Sequence, residues 1–386
     1  MKEIMKRTTA AALAGIMTVG MLTGCGEKKL DGTKTVATVN GTEIPMGVVS
    51  LYARQTQAQT EAMYKAYMGE SVSGIWDQEA ADEDGMTYGE QAVENSLEQV
   101  ELMYIMKEKA ADYGIEITED EQNAIAEAAA QFIKDNDEET IETLAVTEDQ
   151  VKTFLELETY REKIYHPILD EANVEVTDEE AQQSAFTYVN ISISGDDLTE
   201  DDIAAKKEQA QSILDQMKED PAADMSEIAK AEDESYSALS GTFFTNESDD
   251  ETLTSSYPDE VVEALRGLKD GEVYSELIET DTSIYVVRLD KVKDEDATES
   301  KKESLKSTRE NEYYSETTEK WLEDAKIDVD KKVLKTLQIT DSHTFSFKAV
   351  EEEASEEEAA EEETSEEEAA EEETTEEETA EEEAAE

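Results

Sequence analysis

The sequence predicts a multidomain protein, mainly α-helical, with an α+β insert. Three observations carry that expectation. Between residues 87 and 182 four threonine-led capping signatures open segments whose apolar residues fall on one helical face. From Ala185 the period changes to two, and strands and helices then alternate to about residue 293. Residues 294–328 follow as one charged helix without a turn signal.

Taken in order, the chain opens on a processing segment. Lys2, Lys6 and Arg7 face a single Glu3, and Thr8–Leu22 is uncharged and mostly apolar. A stretch of that length is short of the roughly twenty apolar residues that span a bilayer, and it fits a signal-peptide core. It closes on Leu22-Thr23-Gly24-Cys25, which resembles the lipobox of bacterial lipoproteins. That resemblance implies lipidation of Cys25, the thiol taking a diacylglyceryl group and Cys25 becoming the first mature residue. An ordinary secretory signal with a fortuitous cysteine is the alternative. One acyl chain anchors marginally, at about 0.8 kcal/mol per buried CH₂, whereas two or three hold. Residues 1–24 are thus expected to be a signal peptide, and 25–35 a lipidated cysteine and polar linker.

Residues 36–182 are expected to form a helical domain. Val36-Ala37-Thr38-Val39 has strand composition, Asn40-Gly41 is a turn signal, and a helix should run from near Pro45 to about Met68. Residues 69–86 read as a loop in which Trp76 is a packing anchor. Thr87-Tyr88-Gly89-Glu90 then opens a helix with Val93, Leu97, Val100 and Tyr104 on one face. Thr118 opens one with Ile125, Ala129 and Phe132, and Thr147 one with Val151 and Phe154, ending by Pro167; Thr177 opens a short fourth. Such boxes satisfy otherwise orphaned backbone donors, and their acidic first turns suit the helix dipole.

Residues 183–293 form the expected α+β domain. Val189, Ile191 and Ile193 alternate with Tyr188, Asn190 and Ser192, the mark of a half-buried strand. Helices are expected at about 200–219, 225–231 and 258–266, with a loop around Gly241, a turn at Asp270-Gly271 and a strand at 284–289. The charged helix carries a sparse apolar set, Leu305, Tyr313, Trp321, Leu322 and Ala325. It cannot stand alone, so residues 294–345 are expected to return to the helical domain. Residues 346–386 are expected to be a disordered acidic tail. Its last 36 residues hold 22 Glu and no base. A five-residue repeat steps about 140° round a helix axis, so its small residues never line one face. Like charges at i,i+4 add repulsion.

Composition excludes several classes. The chain carries 33 Lys and Arg against 101 Asp and Glu, a net charge of −68. Nucleic acid is therefore not a partner, because its phosphates would be repelled. Basic unfolded polypeptides would be attracted, and a weak Ca2+ association with the Glu-rich tail is the one cation interaction this charge favours. A single cysteine allows no internal disulfide. Two histidines, His166 and His343, are too few for zinc or imidazole-based nucleophilic chemistry. No cofactor and no metal site are expected.

The order of these parts resembles one family, the PrsA foldase lipoproteins of Gram-positive bacteria, whose periplasmic counterparts are the SurA-like chaperones. Val36-Ala37-Thr38-Val39-Asn40-Gly41-Thr42-Glu43-Ile44 is similar to the family's opening V-A-x-V-N-G-x-x-I run. Thr87-Tyr88-Gly89, Gly114–Glu121 and Trp321-Leu322 fit its later helices, so the resemblance spans about residues 36–330. It implies a SurA-like helical chaperone domain and a parvulin-like (PpiC) peptidyl-prolyl isomerase domain. It also implies unfolded or nascent secreted polypeptides as partners, and a lipid-anchored place on the extracytoplasmic face of the cell membrane.

The resemblance departs at the active site. Asn190, in Tyr188-Val189-Asn190-Ile191-Ser192, stands where the family has the histidine of an Ala-x-His-Ile-Leu strand. Tyr285, in Ser283-Ile284-Tyr285-Val286-Val287, stands where it has a second histidine. Glu234 matches the acidic or cysteine position, and the Gly-Gly-Asp-Leu-Gly turn is reduced to Ser240-Gly241-Thr242-Phe243-Phe244. Val261 replaces a groove phenylalanine before Leu268-Lys269-Asp270-Gly271. Catalytic positions are thus implied at Asn190, Glu234 and Tyr285, and a peptide groove at Tyr188, Phe243, Val261 and Leu265.

Rotation about X-Pro meets a barrier of about 20 kcal/mol and needs no nucleophile or metal. It needs only tighter binding of the twisted amide than of the planar forms. Asn190 and Tyr285 can hydrogen-bond, but neither is an imidazole. The expectation is a membrane-anchored chaperone whose parvulin-like domain is weakly active or inactive. An active isomerase is the alternative, and a solute-binding or structural envelope lipoprotein a further one.

Overall fold

An Asn-Gly turn joins the first hairpin of the chain. Asn40 and Gly41 both take positive φ, 51° and 92°, which matches a two-residue hairpin turn to the twist of its strands. The computed structural model of the protein describes residues 17–21, 29–69, 74–81, 85–195, 198–247, 253 and 255–347. The expected lipidation site Cys25 and residues 348–386 lie outside them. The chain divides into two units, Met1–Lys163 with Asp324–Glu386, and Ile164–Glu323.

In the first unit, β1 (Met17–Met21) lies within the expected signal segment. Strands β2 (Thr35–Val39) and β3 (Thr42–Pro45) form the hairpin, and α1 (Met46–Met68) follows directly. Trp76 is buried and its indole N–H donates to the Glu61 carboxylate, 3.0 Å. Helix α2 (Tyr88–Lys109) and helix α3 (Glu119–Asp135) each start on the expected capping box, at Thr87 and Thr118. Val93, Leu97, Val100, Tyr104, Ile125 and Ala129 are buried, as their spacing predicts. Helix α4 (Glu138–Leu144) was not anticipated; Asp137 caps it through the Thr140 amide. Helix α5 (Glu148–Ala172), whose residues from Ile164 on belong to the second unit, does not stop at Pro167 but runs through it. Proline forfeits one backbone bond and crowds the preceding turn, and burial of Ile164 and Ile168 on either side of it offsets that loss.

The second unit adds α6 (Asp178–Ala181), then β4 (Gln183–Ser192), α7 (Glu200–Glu219) and α8 (Met225–Glu232). Next come β5 (Ala238–Phe244), α9 (Asp259–Arg266), β6 (Glu272–Val273), β7 (Ile278–Glu279) and β8 (Ser283–Asp294). The sheet order is β5-β4-β8-β6, with β7 also on β8, and every pairing is antiparallel. The expected loop around Gly241 is therefore a strand. The reason is tertiary: Phe243 and Phe244 are buried, and β4 supplies the hydrogen-bonding partner.

Strand β4 is half-buried over its second half, as expected, with Val189 and Ile191 buried and Asn190 and Ser192 exposed. Val189 and Ile191, with Ile284 and Val286 of β8, pack under α7 and α8 against Ile213, Leu214 and Met217. Phe186, Tyr285, Val287 and Leu289 pack on the other face beside Val261, Val262 and Leu265 of α9. Period two thus separates the two faces, and the α9-side face is buried at Phe186 and open to water at Asn190 and Ser192. Helix α10 (Glu295–Asp324) is held to the 165–182 segment by Lys302–Asp178 at 2.6 Å, Arg309–Glu180 at 2.5 Å, and a Tyr165 hydroxyl donating to Asn311 at 2.9 Å.

The chain then re-enters the first unit, where β9 (Ile327–Val329) joins the edge of β2. Helix α11 (Lys331–Leu334) and β10 (His343–Phe347) follow, and β10 pairs antiparallel with β1. The expected acidic tail thus begins two residues early, since Ser346 and Phe347 close β10. Leu334, Leu337, Ile339 and Phe345 are buried, so this return segment supplies core as well as strand. Among the described residues no helix is long and apolar enough to cross a membrane.

Candidate functional site

Register brings the two expected catalytic replacements together. Asn190 of β4 lies directly opposite Tyr285 of β8, and partners in an antiparallel ladder share a face. The Asn190 side-chain amide donates to the Tyr285 hydroxyl at 3.2 Å. Asn190 is exposed and Tyr285 is buried, so the pair sits where the α9-side core meets solvent.

Further aromatic residues surround them. Tyr188, two residues before Asn190 and partly buried, lies 6.1 Å from the Tyr285 ring and stacks on Phe186 at 5.2 Å. Tyr257, just before α9, meets Phe186 edge-on at 4.8 Å and Tyr188 at 5.6 Å. Burial pushes the Tyr257 phenol above its ordinary range, and the neighbouring Tyr188 and Tyr285 hydroxyls push it the same way. Gly241 of β5 makes room for this ring: a Cβ there would overlap the Tyr257 hydroxyl and press on Phe186. Sequence reading missed Tyr257. Its only local signal is an aromatic residue ahead of Pro258 at a helix start, and nothing in that dipeptide points to β4.

The remaining expected positions are dispersed. Glu234 is exposed between α8 and β5, and among the described residues no hydrogen bond joins it to Asn190 or Tyr285. Phe243, Val261 and Leu265 are fully buried core side chains on the Phe186 face, and Tyr188 is the expected groove residue that reaches solvent. Leu239, paired with Tyr188 across the edge strand, is an exposed apolar side chain beside it. His166 lies on α5 against Tyr165, and His343 is in β10, so neither histidine belongs to this sheet. Chemically the cluster offers three phenols and a primary amide, all able to donate to or accept from a peptide group. It holds no imidazole.

In the first unit the last two turns of α1 expose Met63, Tyr67 and Met68 to water. The four-residue step from Met63 to Tyr67 stacks the two on one helix face.

Residues 199–302 match the family described as PPIC-type PPIASE domain. The match includes Glu234, Tyr257 and Tyr285 but starts after β4, so Asn190 precedes it. No curated protein matches the chain. Three solved structures are similar at low identity. A SurA-like chaperone from Campylobacter jejuni, from a study of PEB4 and Cj1289, is 10% identical, with 76% of this chain and 98% of that one covered and a TM-score of 0.27. The foldase protein PrsA from Streptococcus pneumoniae is 18% identical, over 67% and 97%, TM-score 0.29. PrsA from Bacillus subtilis is 19% identical, over 68% and 99%, TM-score 0.23. Likenesses at this level carry no weight alone, and the family match is what bears on the fold of the second unit. Within that unit, residues 199–302 are similar to a PPIC-type domain.

Proposed function

We propose that the chain is a membrane-anchored extracytoplasmic foldase of a Gram-positive bacterium. It binds unfolded or nascent secreted polypeptides, and its parvulin-like domain is weakly active or inactive. The observation that supports this reading is the Asn190–Tyr285 pair, a hydrogen-bonded amide and phenol with no imidazole, of which Tyr285 lies inside the residues similar to a PPIC-type domain and Asn190 before them. The lipobox-like Leu22–Cys25 run supports the anchor through lipidated Cys25, and exposed Met63, Tyr67 and Met68 supply apolar surface for clients. The domain limits of the sequence reading belong to this proposal, including the return of residues 294–345 to the helical domain.

The test uses the soluble chain with Cys25→Ser. Proline-peptide isomerisation coupled to proteolysis should stay near background, while aggregation of an unfolded secretory protein is suppressed at a few-fold excess of the chain. No suppression would remove the chaperone reading. A second reading, active isomerase, is favoured by the clustering of Tyr188, Tyr257 and Tyr285 beside Asn190. Proline-dependent acceleration that disappears in Asn190→Ala and Tyr285→Phe would establish it in place of the first.

A further inference from the structure

The strand β10 has two unequal edges. Along one, α1 holds it: Gln57 donates to the His343 carbonyl at 2.6 Å, and the Phe345 N–H donates to the Glu61 carboxylate. The Arg54 guanidinium lies 4.8 Å over the Phe345 ring and donates to the Gln338 carbonyl at 2.7 Å. The approach to the strand is pinned as well, since the Asp341 carboxylate accepts from the Trp76 and Asp77 amides at 3.1 and 3.0 Å.

Backbone groups of successive strand residues point to opposite edges. With His343 and Phe345 turned toward α1, Thr344 and Ser346 present their N–H and C=O groups to the other edge. That edge is where Met17–Met21 pairs, Thr344 opposite Gly20 and Ser346 opposite Thr18. The segment seated there, Met-Thr-Val-Gly-Met, is uncharged, and it belongs to the stretch expected to be removed before Cys25.

We propose that the Thr344–Ser346 edge of β10 is a strand-accepting site for an extended, uncharged, apolar stretch of an exported polypeptide, which takes the place that Met17–Met21 occupies in the full chain. Removal of residues 1–24 takes β1 away and leaves two residues' worth of backbone donors and acceptors open. Main-chain bonds at a sheet edge give affinity with little demand on sequence, which suits a binder of many clients. The inference rests on the foldase reading and its cleaved signal, and deepens it by naming where and in what conformation a client binds.

The test compares two soluble forms, the chain from residue 25 and the chain from residue 1, both with Cys25→Ser. The probe is a fluorescent peptide carrying residues 15–23 with a lysine tag. The shorter chain should capture it saturably, and the longer chain, whose site is filled, several-fold more weakly. Hydrogen exchange should slow at Thr344 and Ser346. N-methylation of the peptide at Thr18 or Gly20 should weaken capture about tenfold, the value of one well-made hydrogen bond, whereas N-methylation at Val19 should leave it within about twofold. Thr344→Pro should abolish capture with an unchanged melting temperature. Equal weakening at all three peptide positions, unchanged exchange at 344 and 346, or a mature chain that retains residues 17–21 overturns the inference. Aggregation suppression without capture at β10 sinks this inference alone; capture without suppression sinks the foldase reading alone.

Discussion

At the scale of single residues, the one buried glutamate of α2 couples stability to pH. Glu101 is buried, and its Oε1 has no hydrogen-bond partner among the described residues. Burial, reinforced by the charge of Glu98, pushes its carboxyl up to about 7. Between about 4.5 and about 7 the folded chain therefore holds a proton that the unfolded chain has released, so stability contributed by Glu101 falls as pH rises through that window. Glu101→Gln should raise unfolding free energy by about 1–3 kcal/mol at pH 8, and the gain should vanish near pH 4. Denaturant titrations at the two pH values decide it; a pH-independent difference would contradict the assignment. Gly241 makes a second case. Its backbone is ordinary strand, so Gly241→Ala costs nothing in conformation, yet the new methyl meets Tyr257 and Phe186. A loss of about 1–3 kcal/mol is expected. The double variant with Tyr257→Ala should lose less than the two single losses combined, as residues in contact do.

At the scale of elements, caps were the most legible feature. Thr87, Thr118, Thr147 and Thr177 each bond the backbone of their third helical residue, as the Thr-x-x-Glu/Gln spacing requires. Thr199 does the same for α7: it accepts from the Asp202 amide at 3.2 Å while Asp202 accepts from the Thr199 amide at 2.9 Å. Because α7 carries Ile213, Leu214 and Met217 onto the sheet, Thr199→Ala should destabilise the second unit by about 1 kcal/mol. Thr199→Ser should restore most of it. Differential hydrogen exchange along α7 would show the loss concentrated in its first turn. Strands were less legible. The run Ala238–Phe244 contains a glycine and two serine or threonine residues, a loop composition, and becomes a strand because β4 pairs with it. Pro167 misled in the opposite direction, since a local breaker was overruled by buried neighbours.

At the scale of the molecule, charge dominates. A net charge of −68 creates a long-range field that favours encounter with basic clients and fades with salt. The last 36 residues hold 22 of the negative charges. A chain ending at Val350 should therefore unfold at the same temperature as the full chain. Its association rate with a basic unfolded client should be lower at low ionic strength and should converge with the full chain's at about 0.5 M salt, where the Debye length is only a few ångströms. Stopped-flow rates across a salt series measure this; parallel slopes would assign the tail no part in encounter.

Sequence alone determined the features that depend on neighbours along the chain. These are the caps, the Asn40-Gly41 hairpin, the amphipathic faces, the acidic balance and the absence of a histidine from both implied catalytic positions. Only the tertiary structure decided what depends on distant segments meeting. Asn190 faces Tyr285 because antiparallel register aligns residues 95 apart. Tyr257 reaches them because Gly241 leaves space. Strand β10 lies where it does because side chains of α1, 284–286 residues away in sequence, hold one of its edges and its approach. Local patterns obey periodicity and backbone sterics, which a sequence displays; long-range contacts are selected by packing of the whole, which no stretch of the chain contains.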